Sequence, residues 1–285
     1  MIATDATHDA RERYPPPNVH QGTRTKILEV LTNWINNLDP KCRVFWLHGP
    51  AGAGKSALLQ TLAQLLLSSN GPVVASFFFG RGQKKRGSGD YLFSTLAYQL
   101  AINVKDLRIL VDEVMQNNPT LPTKSMEVQF RSLIIEPFQR LQMQFLPSRI
   151  QTVIIDGLDE CQGDETQESI IQLISDALVR HGLPLRFLIA SRPEPHIRNS
   201  FDSPNLLPIS DRLMLHDNFW TRNDIETYLR DGFADICRRS RSMVHIEMPW
   251  PGEDMIKTLS RHSCGQFIYA ATVLKFVGQK STYPP

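Results

Sequence analysis

The chain has 285 residues, of which 41% are hydrophobic and 21% are charged, and its formal net charge at pH 7 is +2. This length accommodates one large or two modest domains, and the composition is ordinary for a soluble globular protein. The nearly neutral net charge argues neither for nor against a polyanionic partner.

Two short basic clusters are the candidates for nucleic-acid contacts. Lys84-Lys85-Arg86 lies in a glycine-rich loop, and Arg238-Arg239 is followed closely by Arg241. The first cluster has no interleaved aromatic residues and no known reader motif, so we interpret it as a solvated loop tip. We therefore predict no nucleic-acid partner.

Cysteine usage and the termini indicate the compartment. The four cysteines are scattered and form neither CxxC pairs nor zinc-like spacings with histidine, which is typical of reduced thiols in a cytosolic protein. The N-terminus lacks the apolar core of a signal peptide. The most apolar late run, residues 267–277, is too short to span a bilayer and contains Lys275. We expect a cytoplasmic protein without a membrane span.

The elements predicted in chain order begin with a tail. Residues 1–19 are polar and end in three prolines, so we predict a flexible segment rather than a packed element. Apolar residues then recur at spacings of three and four over residues 25–38, which predicts a helix. Continuous apolar runs predict strands buried on both faces at 43–48, 73–79, 149–155 and 185–190. Helical segments are predicted at 57–67, 91–101, 107–115, 126–141 and 169–180.

Strands that alternate with helices predict an α/β fold, in which a parallel sheet carries helices on both faces. After about residue 213 the pattern is helical only, with segments at 223–236, 255–262 and 267–277. Thr221 with Asp224 three residues on reads as a capping box for the first of these. We therefore predict a core domain over 20–212 and a small all-helical subdomain over 213–285.

The most informative motif follows the first predicted strand and precedes a helix. It fits GxxxxGK[ST], the phosphate-binding P-loop, and this context is what supports the match. Glycines let successive backbone N–H groups point at phosphate oxygens, and the helix N-terminus adds a positive dipole end. We assign nucleotide contacts to Gly49, Pro50, Ala51, Gly52, Ala53, Gly54, Lys55, Ser56 and Ala57.

Side chains of this motif have separate predicted roles. Lys55 would reach the outer phosphates, and the Ser56 hydroxyl would coordinate Mg²⁺. A second metal ligand is predicted at Asp156, which ends the apolar strand 149–155 in the Walker B arrangement. Carboxylates just beyond it can orient or deprotonate an attacking water, a role assigned to Glu160 first and Asp159 second.

The next predicted strand ends in Ser191-Arg192-Pro193. Ligands of open parallel sheets bind at the carboxyl ends of the strands, which places Arg192 at that rim. A guanidinium is planar, permanently charged and bidentate, and Arg192 is therefore a candidate for contacting the terminal phosphate and sensing its loss.

Taken in order, the P-loop, Asp156-Gly157-Leu158-Asp159-Glu160 and Ser191-Arg192-Pro193 resemble the NACHT domain of the signal-transduction ATPases (the STAND class), and most closely its fungal members. The resemblance covers about residues 20 to 280. It extends through Phe45-Trp46-Leu47, Ala75-Ser76-Phe77-Phe78-Phe79, Thr95-Leu96-Ala97-Tyr98-Gln99-Leu100, Asp224-Ile225 with Tyr228-Leu229, and Gly265-Gln266-Phe267-Ile268-Tyr269-Ala270.

This resemblance implies a P-loop NTPase fold with five parallel strands in the order 5-1-4-3-2, and a helical subdomain that closes over the base. It implies that Phe267 lies near the adenine, at a turn where relatives carry proline, and that the segment 20–24 also lies near the base. Relatives continue into a winged-helix domain, so we expect the helical subdomain to be truncated before one.

The resemblance implies a signalling switch with slow Mg²⁺-dependent hydrolysis, in fungal innate immunity or heterokaryon incompatibility. The NTP form would self-associate and engage other signalling domains or proteins. The cofactors would be Mg²⁺ and ATP/ADP, with GTP/GDP left open. Two alternatives stay open: a nucleotide-stabilised interaction scaffold with negligible turnover, and a small-molecule P-loop kinase, which lacks a recognisable arginine-rich lid here.

Overall fold

The computed structural model describes residues 1–37, 41–67, 71, 73–144, 150–216, 219–239 and 249–279. A five-stranded sheet lies at its centre, in the order β2-β3-β4-β1-β5, and every strand pair is parallel. The strands are β1 (Val44–His48), β2 (Val73–Phe78), β3 (Gln151–Asp156), β4 (Leu185–Ser191) and β5 (Ser210–Met214). Read from the other edge this is 5-1-4-3-2, so the predicted fold class and strand order are confirmed.

Helices cover both faces of this sheet. They are α1 (Thr25–Asn36), α2 (Lys55–Leu67), α3 (Leu92–Asn103), α4 (Leu107–Asn117), α5 (Met126–Phe130), α6 (Glu136–Gln144), α7 (Asp164–His181) and α8 (Pro195–Phe201). A π-helical turn, Arg131–Ile135, joins α5 to α6. The C-terminal helices are α9 (Phe219–Arg239), α10 (Glu253–His262) and α11 (Phe267–Val277).

The central strands read as continuous apolar runs because their alternate side chains enter two different cores. Phe45 and Leu47 of β1 pack with α1 and α2, whereas Val44 and Trp46 pack on the opposite face. All seven residues of β4 are buried for the same reason. A strand with helices on both sides has no solvent face, so it shows no polar alternation.

Strand β5 has no apolar run, and residue pattern alone gives no strand there. It is an edge strand that pairs only with β1 among the described strands, and most of its residues are partly or fully exposed. It extends the sheet to Met214, so the predicted domain boundary after residue 212 falls inside a strand. The helical part that follows, α9 to α11, has its own apolar cluster of Ile225, Leu229, Phe233, Ile256 and Ala270.

The N-terminal arm, residues 1–19, differs from its prediction as a flexible tail. Ala3 and Ala6 are fully buried in the core on the α3 side of the sheet. The Ala3 N–H donates to Thr95 Oγ1 at 2.9 Å, and the His8 N–H donates to Ser76 Oγ at 3.2 Å. The arm packs because its backbone groups bond to polar side chains from distant parts of the chain, which its own composition does not reveal.

None of the helices in the described part of the chain is long and apolar enough to span a bilayer.

Candidate functional site

The P-loop connects β1 to α2 in a backbone conformation that depends on glycine. Gly52 and Gly54 have φ angles of +73° and +93°, in the left-handed region that L side chains rarely adopt. At Gly49 a Cβ atom would lie 2.6 Å from the carbonyl oxygen of Leu215, the residue after β5. The edge strand that the sequence pattern missed thus packs directly against the start of the loop.

Lys55 opens α2 and folds back over the loop. Its Nζ donates to the carbonyl oxygens of Gly49 and Pro50, at 2.7 and 3.0 Å. Burial lowers the pKa of Lys55, and the negative charges of Asp159 and Asp156 oppose that shift. The ammonium is therefore held at the phosphate-binding end of the loop, beside the carboxylates that follow β3.

Asp156 ends β3 and is only 4% exposed, and the neighbouring Ser56 hydroxyl acts to lower the pKa of its carboxyl. Its Oδ1 is buried and makes no hydrogen bond within the described residues. An orphaned carboxylate oxygen beside a serine hydroxyl is the hard oxygen donor set that Mg²⁺ prefers. The described residues contain no cluster of three or more His, Cys, Asp or Glu side chains suited to a metal. Magnesium ions are commonly held by one or two protein ligands together with phosphate oxygens and water.

Burial also raises the pKa of Asp156 from its ordinary 3.8 to about 6, against the opposing effects of the Ser56 hydrogen bond and of Arg13. The ionised form is thus disfavoured in the fold, and the contribution of Asp156 to the stability of the metal-free protein falls as the pH rises from about 4 to about 6. Asp156→Asn removes the free-energy cost of burying a charged carboxylate and keeps the shape of the side chain.

We expect Asp156→Asn to raise the free energy of unfolding of the metal-free protein at pH 7.5 by on the order of 1–3 kcal/mol. The gain should vanish near pH 4, where the wild-type carboxyl is protonated. Urea unfolding in EDTA at both pH values checks this, with Asp164→Asn, an exposed position on α7, as the control. An equal gain at both pH values would contradict the electrostatic cause.

Asp159 and Arg192 form an ion pair at the carboxyl ends of β3 and β4. Arg192 Nε lies 3.2 Å from Asp159 Oδ2, and the backbone N–H of Arg192 donates to Asp159 Oδ1 at 2.9 Å. The Asp159 side chain is 4% exposed, against 38% for that of Arg192. Asp159 therefore holds Arg192, and both of its oxygens have partners.

Glu160 is half-buried and lies on the same short turn, Leu158–Glu160. Its Oε2 accepts a hydrogen bond from the backbone N–H of Arg81 at 3.1 Å. Arg81 also extends its guanidinium toward the Asp159 carbonyl oxygen at 3.4 Å. The start of the loop after β2 is therefore part of the site through Arg81, while Lys84 and Lys85 farther along the loop are exposed.

One cavity of about 400 Å³ brings the three predicted motifs together. The predicted residues that line it are Ala51, Gly52, Gly54, Lys55, Ser56, Ala57, Asp156, Asp159, Glu160, Arg192 and Phe267. Gly49, Pro50 and Ala53 belong to the loop but do not line the cavity. The rest of the wall is formed by residues of three other parts of the chain: Pro17, Asn18, Val19, His20, Thr23 and Arg24 near the N-terminus, Gly157 after β3, and Tyr228, Ile268 and Ala271 of the helical part.

A family model described as nephrocystin 3, N-terminal, matches residues 22–192 of the chain, which is more than half of its length. The chain belongs to the nephrocystin 3 N-terminal family. The matched segment contains the P-loop, Asp156 and Glu160, and it ends at Arg192. The N-terminal arm and the helices α9 to α11 lie outside it.

Among solved structures, the chain is similar to Cdc6p from Pyrobaculum aerophilum, with 15% sequence identity and a TM-score of 0.50. The alignment covers 92% of this chain and 63% of that one, so the chain spans less than two thirds of that protein's length. No curated protein sequence matches significantly. These comparisons confirm the P-loop NTPase fold, and the NACHT assignment stays a prediction.

Arg24 belongs to the segment 20–24 that the resemblance places near the base, but the sequence assigned it no role of its own. It lies near the start of the nephrocystin 3 N-terminal match. It is 4% exposed and has a left-handed φ of 56° just before α1. Its Nη2 donates to the Ala53 carbonyl oxygen of the P-loop at 2.9 Å, and its Nη1 donates to Thr221 Oγ1 at 3.1 Å. Its backbone N–H donates to Asp224 Oδ2 at 3.1 Å. One buried side chain thus links the P-loop to α9.

These contacts correct the predicted capping box. Thr221 and Asp224 lie inside α9, which begins at Phe219, and both bind Arg24 instead of capping the helix. The guanidinium carbon of Arg24 also lies 4.7 Å from the centre of the Phe267 ring at the start of α11. The family segment therefore contacts α9 and α11 of the helical part through this residue.

A second contact seats α11 directly on the P-loop. The Ile268 N–H donates to the Gly52 carbonyl oxygen at 3.2 Å. A Cβ atom added at Gly52 would lie only 2.1 Å from Ile268 Cγ2, so this approach requires glycine. The P-loop carbonyls of Gly52 and Ala53 are thus both bound to groups that anchor the helical part.

Aromatic side chains form the other end of the cavity. His20 meets the Tyr228 ring edge-on with centroids 5.2 Å apart, and Tyr228 lies 5.9 Å from Phe267. His20 Nε2 also lies 2.8 Å from Asp231 Oδ2, which fixes the imidazole. These rings line the same cavity as the phosphate-binding loop, and their flat apolar faces suit a nucleobase.

Arg24→Ala should increase the dissociation rate of bound nucleotide about tenfold and destabilise the protein by about 2–4 kcal/mol, because the Ala53 carbonyl oxygen and Thr221 Oγ1 lose a buried hydrogen-bond donor. Alanine keeps the same left-handed backbone cost, so the effect reports the side chain. Stopped-flow release of a fluorescent nucleotide and thermal unfolding measure the two quantities. Arg24→Lys should restore at most part of the nucleotide retention and of the stability, since lysine lacks the planar guanidinium that donates to two acceptors at once. A result equal to that of the exposed control Arg108→Ala would contradict the linking role.

Proposed function

We propose that this chain is a nucleoside-triphosphate-binding switch with slow Mg²⁺-dependent hydrolysis. The observation that carries the proposal is the single cavity in which Lys55, the orphaned oxygen of Asp156 and the carboxylate of Glu160 meet. Phosphate binding, metal binding and activation of water need these three groups within one enclosed site.

At the phosphate end, the backbone N–H groups of the P-loop and the N-terminus of α2 bind the phosphates, and Lys55 exchanges its loop carbonyls for the outer phosphate oxygens. Ser56 and Asp156 would hold Mg²⁺, which neutralises phosphate charge when bound. Glu160 takes a proton from the attacking water, and Arg192 stabilises charge on the terminal phosphate.

The contacts of the carboxylates support a slow reaction. Glu160 is bonded to the Arg81 N–H and must turn from it to reach water. Arg192 is bonded through two atoms to Asp159, so we assign Asp159 a positioning role instead of the role of a base. Both rearrangements precede chemistry, and turnover then resets the switch instead of driving work.

We further propose a NACHT-type switch of the STAND class, in which exchange of NDP for NTP opens a closed form. The open form would associate with further copies of itself and bind other signalling domains or proteins. The bonds from Ile268 to Gly52 and from Arg24 to Ala53 support this, because any change in the P-loop alters contacts of the helical part. A cytoplasmic role in fungal innate immunity or heterokaryon incompatibility fits the motif resemblance and the free cysteines.

A second candidate is a scaffold that uses nucleotide as a structural ligand. The internal partners of Asp159 and Glu160 favour it, since both carboxylates are engaged in the fold. Bound nucleotide at a thousandfold excess over its dissociation constant would add about 4 kcal/mol of stability. Turnover separates the two candidates.

The deciding experiment identifies the nucleotide that co-purifies with the chain. The protein is denatured, the released small molecules are analysed by mass spectrometry, and Mg·ATP and Mg·GTP hydrolysis is then followed under single-turnover conditions. Stoichiometric ADP or GDP with slow hydrolysis supports the switch and names the base. Stable NTP without hydrolysis supports the scaffold, and absence of binding to either nucleotide would refute both.

A further inference from the structure

The N-terminal arm passes alongside the phosphate-binding helix. Its His8 carbonyl oxygen accepts from Gln60 Nε2 at 2.7 Å, and its Val19 N–H donates to Thr61 Oγ1 at 3.1 Å. Gln60 and Thr61 lie on α2, five and six residues after Lys55. The stretch between His8 and Val19 is therefore fixed at both ends against the helix that starts the nucleotide site.

Arg13 projects from this stretch onto the sheet. Its guanidinium carbon lies 3.6 Å from the centre of the Phe78 ring, and its Nη1 donates to the Thr7 carbonyl oxygen at 3.1 Å. Phe78 is the last residue of β2 and is the direct partner of Asp156 in the neighbouring strand. The arm thus delivers a cation to the strand end beside the proposed metal ligand.

Arg13 and Asp156 lie on the same face of the sheet. Phe78 and Ile154 both belong to the apolar cluster on the α2 side. Asp156 follows Ile154 by two residues on β3, which directs its side chain to the same side, where it bonds to Ser56. The Arg13 guanidinium, which lies over the Phe78 ring, is therefore on the same face of the sheet as the Asp156 side chain and α2.

The charges of the two groups act on each other. Burial lowers the pKa of Arg13 to about 10, while Asp156 opposes this shift and Arg86 adds to it. The guanidinium is still fully charged at neutral pH. Lys55 also acts as a positive charge on Asp156, and Glu160 as a negative one, so Arg13 is one of two cations that offset the buried carboxylate.

We propose that Arg13 is a positioning residue of the nucleotide site, which acts through Asp156 to set the Mg²⁺ concentration at which the site loads. This inference rests on the proposed function. A fixed cation beside Asp156 repels Mg²⁺ and attracts free nucleoside triphosphate, so it favours the metal-free complex over the metal-bound one. The arm, which the P-loop fold does not require, thereby becomes part of the site.

The test compares Arg13→Gln with the wild type in two titrations that use N-methylanthraniloyl derivatives of ATP and GTP as probes. In EDTA, Arg13→Gln should weaken probe binding about two- to fivefold. In the presence of probe, the Mg²⁺ midpoint for loading should fall about three- to tenfold. The affinity for the probe without Mg²⁺ should thus decrease while the affinity for Mg²⁺ increases, whereas a merely structural defect would decrease both affinities. Both shifts should shrink at high salt because the interaction is electrostatic.

Two further variants test whether the effect depends on the position and on the charge of Arg13. Arg11→Gln removes an exposed arginine from the same short helical turn and should leave both titrations unchanged. Arg13→Lys keeps the charge and should restore both toward wild type. Three results would each overturn the role of Arg13. They are an effect of Arg11→Gln equal to that of Arg13→Gln, wild-type behaviour not being restored by Arg13→Lys, and a decrease of both the probe affinity and the Mg²⁺ affinity in Arg13→Gln. If the wild type binds neither probe with or without Mg²⁺, the proposed function itself fails.

Discussion

Replacing Lys55 by alanine is expected to lower the affinity for ATP or GTP about a hundred- to a thousandfold while leaving the fold intact. Two charge-assisted hydrogen bonds to phosphate oxygens are each worth about 1.5–3 kcal/mol, and alanine supplies neither. The protein without nucleotide loses only bonds from Nζ to two loop carbonyls, those of Gly49 and Pro50. Because burial disfavours the charged ammonium, its removal also relieves a cost in that state.

Isothermal titration with Mg·ATP and Mg·GTP measures the loss, and thermal unfolding without nucleotide checks the fold. Lys105→Ala, at an exposed position before α4, is the matched control and should bind as the wild type does. Lys55→Ala that still binds within about fivefold of the wild type would show that nucleotide, if it binds, is not held by the P-loop.

Glu160→Gln should retain Mg²⁺-nucleoside-triphosphate binding but lower the rate of hydrolysis by a factor of about a hundred or more. A glutamine oxygen can still accept the Arg81 N–H bond, so the local structure is kept. A neutral amide cannot take a proton from water, and general base catalysis is worth about 10²–10⁴ in rate. The variant should therefore trap the NTP-bound form.

Single-turnover release of phosphate measures the hydrolysis, and fluorescence anisotropy measures the binding. Glu165→Gln, on the exposed first turn of α7, removes a nearby carboxylate without touching the cavity and should hydrolyse normally. Rapid turnover by Glu160→Gln would refute the assignment of the base. Asp159→Asn would then be the next variant, although Asp159 is bound at both oxygens by Arg192.

The local sequence determined the elements that depend on neighbours along the chain. Strands β1 to β4 were predictable because helices cover both faces of the sheet, so most positions along these strands are apolar. The P-loop was predictable because its backbone needs glycine at fixed places, and Gly52 and Gly54 have the positive φ angles that this requires. A carboxylate at a strand end was enough to place Asp156 at the carboxyl edge of the sheet.

The strand order was implied only by the family resemblance, since single-sequence patterns contain no information on which strands pair. Strand β5 also escaped the residue pattern, because an exposed edge strand of five residues has too few buried positions to show one. The resemblance required a fifth strand beside β1, and the structure has it at residues 210–214.

Only the tertiary structure decided the role of the N-terminal arm and of the isolated charges. Arg24 contacts groups 29 and about 200 residues away in the chain, and Arg13 lies over Phe78, so no periodicity could reveal either. Likewise, the ion pair between Asp159 and Arg192 joins the ends of two strands that are separate in sequence. A charged residue that reads as solvent-exposed becomes a site residue when the fold buries it against a distant partner, because desolvation makes that contact both costly to lose and specific.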